Sequence, residues 1–128
     1  MEKFQTFIKL TRLDKPIGIF LLFWPCVWGI SLGYYFNTDT NLYLKYIILF
    51  FLGSILMRSA GCIFNDIVDR NLDKKVRRTK ERPIASGKIT VLTAFIYIFV
   101  LCLIALFILL QFNWLTITLG MGSMILAF

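Results

Sequence analysis

Apolar and polar positions along this chain of 128 residues come in long blocks and do not alternate residue by residue. The first fifteen residues are mixed. Phe4, Phe7 and Ile8 fall on one helical side among Lys3, Lys9 and Arg12, which predicts a short interfacial helix. Ile17–Phe36 is then an unbroken apolar block of 20 residues, which at ~1.5 Å rise spans ~30 Å, one bilayer core. Pro16 suits a first helical turn, where its missing N–H is harmless, and Pro25 predicts a mid-helix kink. After a polar turn at Asn37–Asn41, a second span covers Tyr43–Phe64 and holds one charge, Arg58. A charged stretch, Asn65–Lys88, separates it from a third apolar block, Val91–Phe112. Asn113 and Trp114 form a tight turn, and a fourth block starts at Leu115 and stops after fourteen residues at Phe128. The expected fold class is all-α: a multi-helix transmembrane bundle of three full transmembrane helices and a truncated fourth. No domain linker, low-complexity tract or internal repeat divides residues 1–128.

Composition supports lipid as the solvent. Hydrophobic residues make up 59% of the chain and the mean hydropathy is +0.78, against ~45–50% apolar residues in a typical soluble domain. The net charge is +7 and the pI about 9.6. In a soluble protein that balance would suggest nucleic acid. Here the basic residues lie between apolar blocks, so they read as topology signals and headgroup contacts, with the lipid bilayer and no nucleic acid as partner. Residues 1–16 hold four Lys and Arg and Asn65–Lys88 hold eight, while the turns at 37–41 and 113–114 hold none. The positive-inside rule therefore predicts a cytoplasmic N-terminus and a cytoplasmic 65–88 loop in a bacterial inner membrane. A cleavable signal peptide is the competing reading of the N-terminus, but the apolar run is too long and lacks a small-residue cleavage site. Histidine is absent, which removes imidazole chemistry, and Cys26, Cys62 and Cys102 sit apart inside apolar blocks as packing residues.

The segment that carries chemistry is Asn65-Asp66-Ile67-Val68-Asp69-Arg70-Asn71-Leu72-Asp73. If the second helix continues past the membrane surface, Asn65, Asp66, Asp69 and Asp73 fall within an arc of about 100°, with Arg58 and Cys62 in the same arc. Three carboxylates on one face repel each other and call for counter-charge. Mg²⁺ suits such hard oxygen ligands, because it takes one or two carboxylates and completes its shell with water and phosphate. Together with the basic run that follows, this face predicts a diphosphate site. The plainer alternative is a solvated helix end laced with i,i+4 ion pairs. Arg58 favours the site, since an arginine inside an apolar span marks a function or a specific partner.

From Asn65 to Gly87 the sequence reads N-x3-D-x2-L-D-x2-V-x-R-T-x2-R-x4-G. This resembles the first aspartate-rich signature of the UbiA prenyltransferase superfamily at every fixed position. Arg12-Leu13-Asp14-Lys15-Pro16-Ile17-Gly18 with Trp24, Pro25 and Trp28, Met57-Arg58-Ser59-Ala60-Gly61-Cys62, and Arg82-Pro83-Ile84-Ala85-Ser86-Gly87 resemble the branch acting on 4-hydroxybenzoate. The resemblance covers essentially the whole chain, as the N-terminal part of a UbiA-type domain with about nine transmembrane helices. A second aspartate-rich motif, carried by a later helix in the family, is not found here. The resemblance implies an aromatic prenyltransferase of ubiquinone biosynthesis. Mg²⁺ held by both motifs binds polyprenyl diphosphate, diphosphate leaves, and 4-hydroxybenzoate attacks the allylic cation ortho to its hydroxyl. Asp66, Asp69 and Asp73 are then the metal or diphosphate contacts, with Asn65 beside them. Asp69 and Asp73 stand at the signature's fixed positions. Arg78 and Arg82 neutralise diphosphate oxygens, and Arg58 either does the same from inside the span or pairs with an aspartate. Arg70 holds the aromatic carboxylate. A chain carrying half of this fold is expected to be inactive alone and to require a C-terminal half, with a separately encoded one as a candidate partner. The competing class is a non-catalytic small membrane protein descended from such an enzyme. A channel subunit is weaker because the third helix is almost devoid of polar residues, and the apolar spans argue against a soluble terpene synthase.

Overall fold

In the computed structural model, which describes residues 1–127, every regular element is a helix. They are α1 Glu2–Thr11, α2 Ile17–Phe36, α3 Thr40–Val68, α4 Arg70–Asp73, α5 Val91–Leu109 and α6 Trp114–Ala127. Phe128, the last residue of the fourth apolar block, lies outside the described residues. Three helices, α2, α3 and α5, are long and apolar enough to cross a membrane, and α6 is a shorter apolar helix. The large apolar residues Leu21, Trp28, Leu92, Phe99 and Phe107 are exposed along these helices. Such faces would aggregate in water and are stable against lipid or further helices, as in a multi-pass membrane protein.

Local chemistry sets the helix boundaries. Asp39 caps α3, its Oδ1 accepting from the amides of Asn41 (3.0 Å) and Leu42 (3.2 Å). Thr90 caps α5 through the Thr93 amide, and Asn113 caps α6 through the Thr116 amide. The Asn113 cap puts Trp114 inside α6, one residue earlier than the polar turn suggested. α2 runs as one helix through Pro25.

α3 is the central element: α1, α2, α4 and α5 all pack close to it, whereas the backbones of α2 and α5 do not approach each other among the described residues. Its 29 residues extend roughly 43 Å, longer than the ~30 Å hydrocarbon core. Its length exceeds that core by roughly two turns. The buried apolar core collects at its C-terminal end, where Leu10 of α1, Ile63 of α3, Ile84 of the 74–90 loop and Ala94 of α5 meet. Phe7 adds an edge-on contact to Tyr97, with ring centroids 5.4 Å apart. α1 is thus seated on the bundle through Phe7 and Leu10, while Phe4 remains exposed. At the opposite end Phe112 packs at a tilt against Tyr46 and Phe50 near the α5–α6 turn.

Candidate functional site

The C-terminal end of α3 carries the aspartate-rich segment. α3 does not run straight through to Asp73. It ends at Val68, Asp69 adopts φ −84° and ψ 2°, and the four-residue α4 follows. Helical bonding still crosses the junction, from the Asp69 amide to the Asn65 carbonyl (2.9 Å) and from the Asp73 amide to the Asp69 carbonyl (2.8 Å). The chain then folds back. Thr79 Oγ1 donates to the Asp73 carbonyl (3.1 Å), the Arg82 amide to the Thr79 carbonyl (3.0 Å), and the Ile89 amide to the Pro83 carbonyl (3.1 Å). Gly87, at φ 78°, supplies the left-handed residue that this last turn needs. Ile84 and Ala85 are buried as a result, and the loop sets Arg82 over the end of α3.

Two of the three aspartates are brought together there. Arg82 Nη1 donates to Asp73 Oδ2 (2.8 Å) and to Asp66 Oδ1 (3.2 Å). Asp66 Oδ1 also accepts from Arg12 Nη2 at 2.7 Å. The Asp66 side chain is only 2% exposed, and a carboxylate this enclosed is tolerated because it is paired and hydrogen-bonded. The counter-charge expected of this face is therefore supplied in part by arginines. The remaining residues lie outside the cluster. Asp69 and Arg70 are half-buried and make no ion pair among the described residues, and Asn65 and Arg78 are exposed. No group of three or more carboxylate, thiol or imidazole side chains converges as a metal cage among the described residues.

Arg58 is half-buried and forms no ion pair with an aspartate among the described residues. Its guanidinium lies instead against α2 at Gly18. A β-carbon on Gly18 would stand 2.8 Å from Arg58 Cζ and Nη2, closer than real contacts allow. The glycine is the notch in which the arginine rests. Sequence reasoning assigned no site role to Arg12, Gly18 or Thr79. Arg12 is 54 positions from Asp66, so helix periodicity does not link them. The usable signal was the unbalanced charge of the aspartate face.

No solved structure matches the chain. Among curated proteins, a 4-hydroxybenzoate octaprenyltransferase of Hydrogenovibrio crunogenus is 42% identical over 98% of this chain and 43% of its own length. A 4-hydroxybenzoate octaprenyltransferase of Vesicomyosocius okutanii is 47% identical over 91% of the chain and 41% of its own length. A mitochondrial 4-hydroxybenzoate polyprenyltransferase of Arabidopsis thaliana is 44% identical over 99% of the chain and 31% of its own length. The chain thus spans no more than 43% of the length of these relatives. The UbiA prenyltransferase family model matches residues 22–128, a stretch that takes in most of α2, all of α3 with its aspartate-rich end, and α5. With its helices, its signature and its relatives in agreement, the chain belongs to the UbiA prenyltransferase family.

Proposed function

We propose that residues 1–128 form the N-terminal, diphosphate-binding part of an aromatic prenyltransferase. The reaction is transfer of a polyprenyl group from polyprenyl diphosphate to 4-hydroxybenzoate in ubiquinone biosynthesis, as the names of the relatives indicate for those proteins. The observation that carries this reading is the contrast at the end of α3: Asp69 has no cationic partner among the described residues, and Asp73, one turn on, is held at Oδ2 by Arg82. That leaves the carboxylate of the half-buried Asp69 and Oδ1 of Asp73, whose side chain is 9% exposed, as the hard oxygen donors at this end of the bundle. This set fits Mg²⁺, which takes one or two carboxylates and fills its shell with water and phosphate. When bound, the metal supplies positive charge against the diphosphate.

The chain's own residues would do the rest. Arg82 engages both aspartates through Nη1, so Nη2 is left to face diphosphate oxygens, and Arg78 is exposed beside it. Arg58, unpaired and resting on Gly18, takes an anionic group from inside the span. Arg70 and Asn65 flank the site on the substrate side, with Arg70 matched to the ring carboxylate. The prenyl tail follows the apolar faces of α2, α3 and α5 within the bilayer. Charge asymmetry orients the N-terminus and the 65–88 loop to the cytoplasm of a bacterial inner membrane. A second aspartate-rich face, from further sequence or a separate chain, completes the site.

The test is binding of radiolabelled inorganic diphosphate to the chain in lipid nanodiscs, with and without Mg²⁺. Binding is expected only with Mg²⁺, and Asp69→Asn is expected to weaken it by about tenfold or more, the scale on which metal sites respond to lost support. Binding that ignores both the metal and Asp69 would refute the assignment.

A further inference from the structure

We propose that Arg12 is a positioning residue: through the buried carboxylate of Asp66 it seats α1 and sets the place of Arg82. Two independent observations lead here. The first is the geometry of the shared oxygen. Asp66 Oδ1 accepts from Arg12 Nη2 at 2.7 Å and from Arg82 Nη1 at 3.2 Å, so the two arginines are joined through one atom that is closed off from solvent. The second is the backbone of Arg12. It ends α1 at φ 55° and ψ 32°, in the left-handed region, and is the only non-glycine residue with positive φ among the described residues. That helix-ending position is ordinarily taken by glycine, because a β-carbon there crowds the backbone. The cap itself needs no arginine: the amides of Arg12 and Leu13 both reach the Ile8 carbonyl, a bond pattern that glycine would make with less strain. A residue that the backbone disfavours is kept where its side chain reaches the enclosed carboxylate of another helix.

The arrangement has a consequence for the site. Asp66 needs compensation for a full negative charge in an enclosed position. Arg12 supplies the shorter of the two bonds. Arg82 is therefore not drawn wholly onto Asp66, and its Nη1 divides between Asp66 and Asp73. Without Arg12, Asp66 would pull Arg82 inward and away from Asp73, and the loop that carries Arg82 would shift with it. In this account Asp66 organises the charged cluster while Asp69 and Asp73 face the ligand. Only this last link to diphosphate rests on the function proposed above.

Hydrogen–deuterium exchange read by mass spectrometry on the chain in nanodiscs separates the possibilities, with Arg12→Gly and Arg12→Lys compared against wild type. Arg12→Gly relaxes the backbone while removing the side chain. It is expected to speed exchange on the order of tenfold in both α1 and the 79–89 segment, while α3 stays protected, as loss of a charge-assisted hydrogen bond implies. Arg12→Lys keeps the charge and is expected to restore most of the protection in both segments. If Arg12→Gly leaves exchange unchanged or slower, Arg12 is only a helix cap and the proposal fails. If α1 loosens but 79–89 does not, Arg12 merely ties α1 down and the link to Arg82 is wrong. If Arg12→Gly loses protection throughout α3, Arg12→Lys decides alone: protection like wild type supports the pair, and general loosening overturns it. Protection of 69–82 by Mg²⁺ and inorganic diphosphate in wild type is read separately. Its absence would count against the proposed function without touching the Arg12–Asp66 link.

Discussion

Asp66 and Asp69 carry the same charge one turn apart, yet their surroundings are opposite. Asp66 is enclosed by two guanidinium groups, and Asp69 has no ion pair among the described residues. The difference follows from facing: Asp66 points toward α1 and the returning loop, where Arg12 and Arg82 meet it, and these partners come from far along the chain. The candidate residues were legible in the spacing of Asn65, Asp66, Asp69 and Asp73, but their division of roles was not. Periodicity places side chains around one helix and says nothing of an arginine arriving from another. Gly18 illustrates the same limit, since only the packed helices show that a side chain there would collide with Arg58. This yields a prediction that separates stability from binding. Gly18→Ala should leave thermal stability unchanged or slightly raised, because alanine is favoured over glycine in a helix by about 1 kcal/mol and the end of Arg58 can swing aside. Affinity for 4-hydroxybenzoate or diphosphate, measured on the same nanodiscs, should fall. Unchanged affinity would show that the resting place of Arg58 does not matter.

At the scale of elements, the apolar blocks foretold α2, α3 and α5 well, because a run of about twenty apolar residues has one main use in a bilayer. The ends were less legible. The second block was read as Tyr43–Phe64, whereas α3 covers Thr40–Val68. Asp39 starts it early by capping, and its far end continues through polar residues because α1, α5 and the loop pack against it there. The break at Asp69 was also not legible, since it accompanies the return of the loop and the bridging of Asp66 and Asp73 by Arg82. α1 and the 74–90 loop share one end of the bundle, which agrees with the clustering of Lys and Arg in those two segments. The orientation proposed from that clustering is testable with Thr38→Cys and Lys80→Cys in a background without native cysteines. An impermeant thiol reagent applied to spheroplasts should label position 38 and spare position 80. The reverse pattern would overturn the assignment.

At the scale of the whole molecule, α3 is flanked by α2 and α5, whose backbones stay apart among the described residues. The three spans thus form an open layer of helices with α3 in the middle. Many of the large apolar side chains of α2 and α5 face outward. Such a surface is suited to lipid, to a prenyl tail and to further helices, and one charged end is attached to it. Residues 1–128 alone are expected to form no prenylated product, because one aspartate-rich face neutralises a leaving diphosphate from one side only and an open tunnel admits water to the reacting carbon. Product formed by the chain alone, and lost on changing Asp69, would contradict that expectation. The most direct test of the central claim uses a chimera in which residues 1–128 replace the matching part of the Hydrogenovibrio crunogenus relative, reconstituted with Mg²⁺, polyprenyl diphosphate and 4-hydroxybenzoate. The account predicts prenylated 4-hydroxybenzoate, with turnover reduced by about a hundredfold or more on Asp69→Ala, as expected when a charge-stabilising group is removed from a reacting site. A chimera that inserts normally yet makes no product, or one whose turnover survives Asp69→Ala, would contradict it.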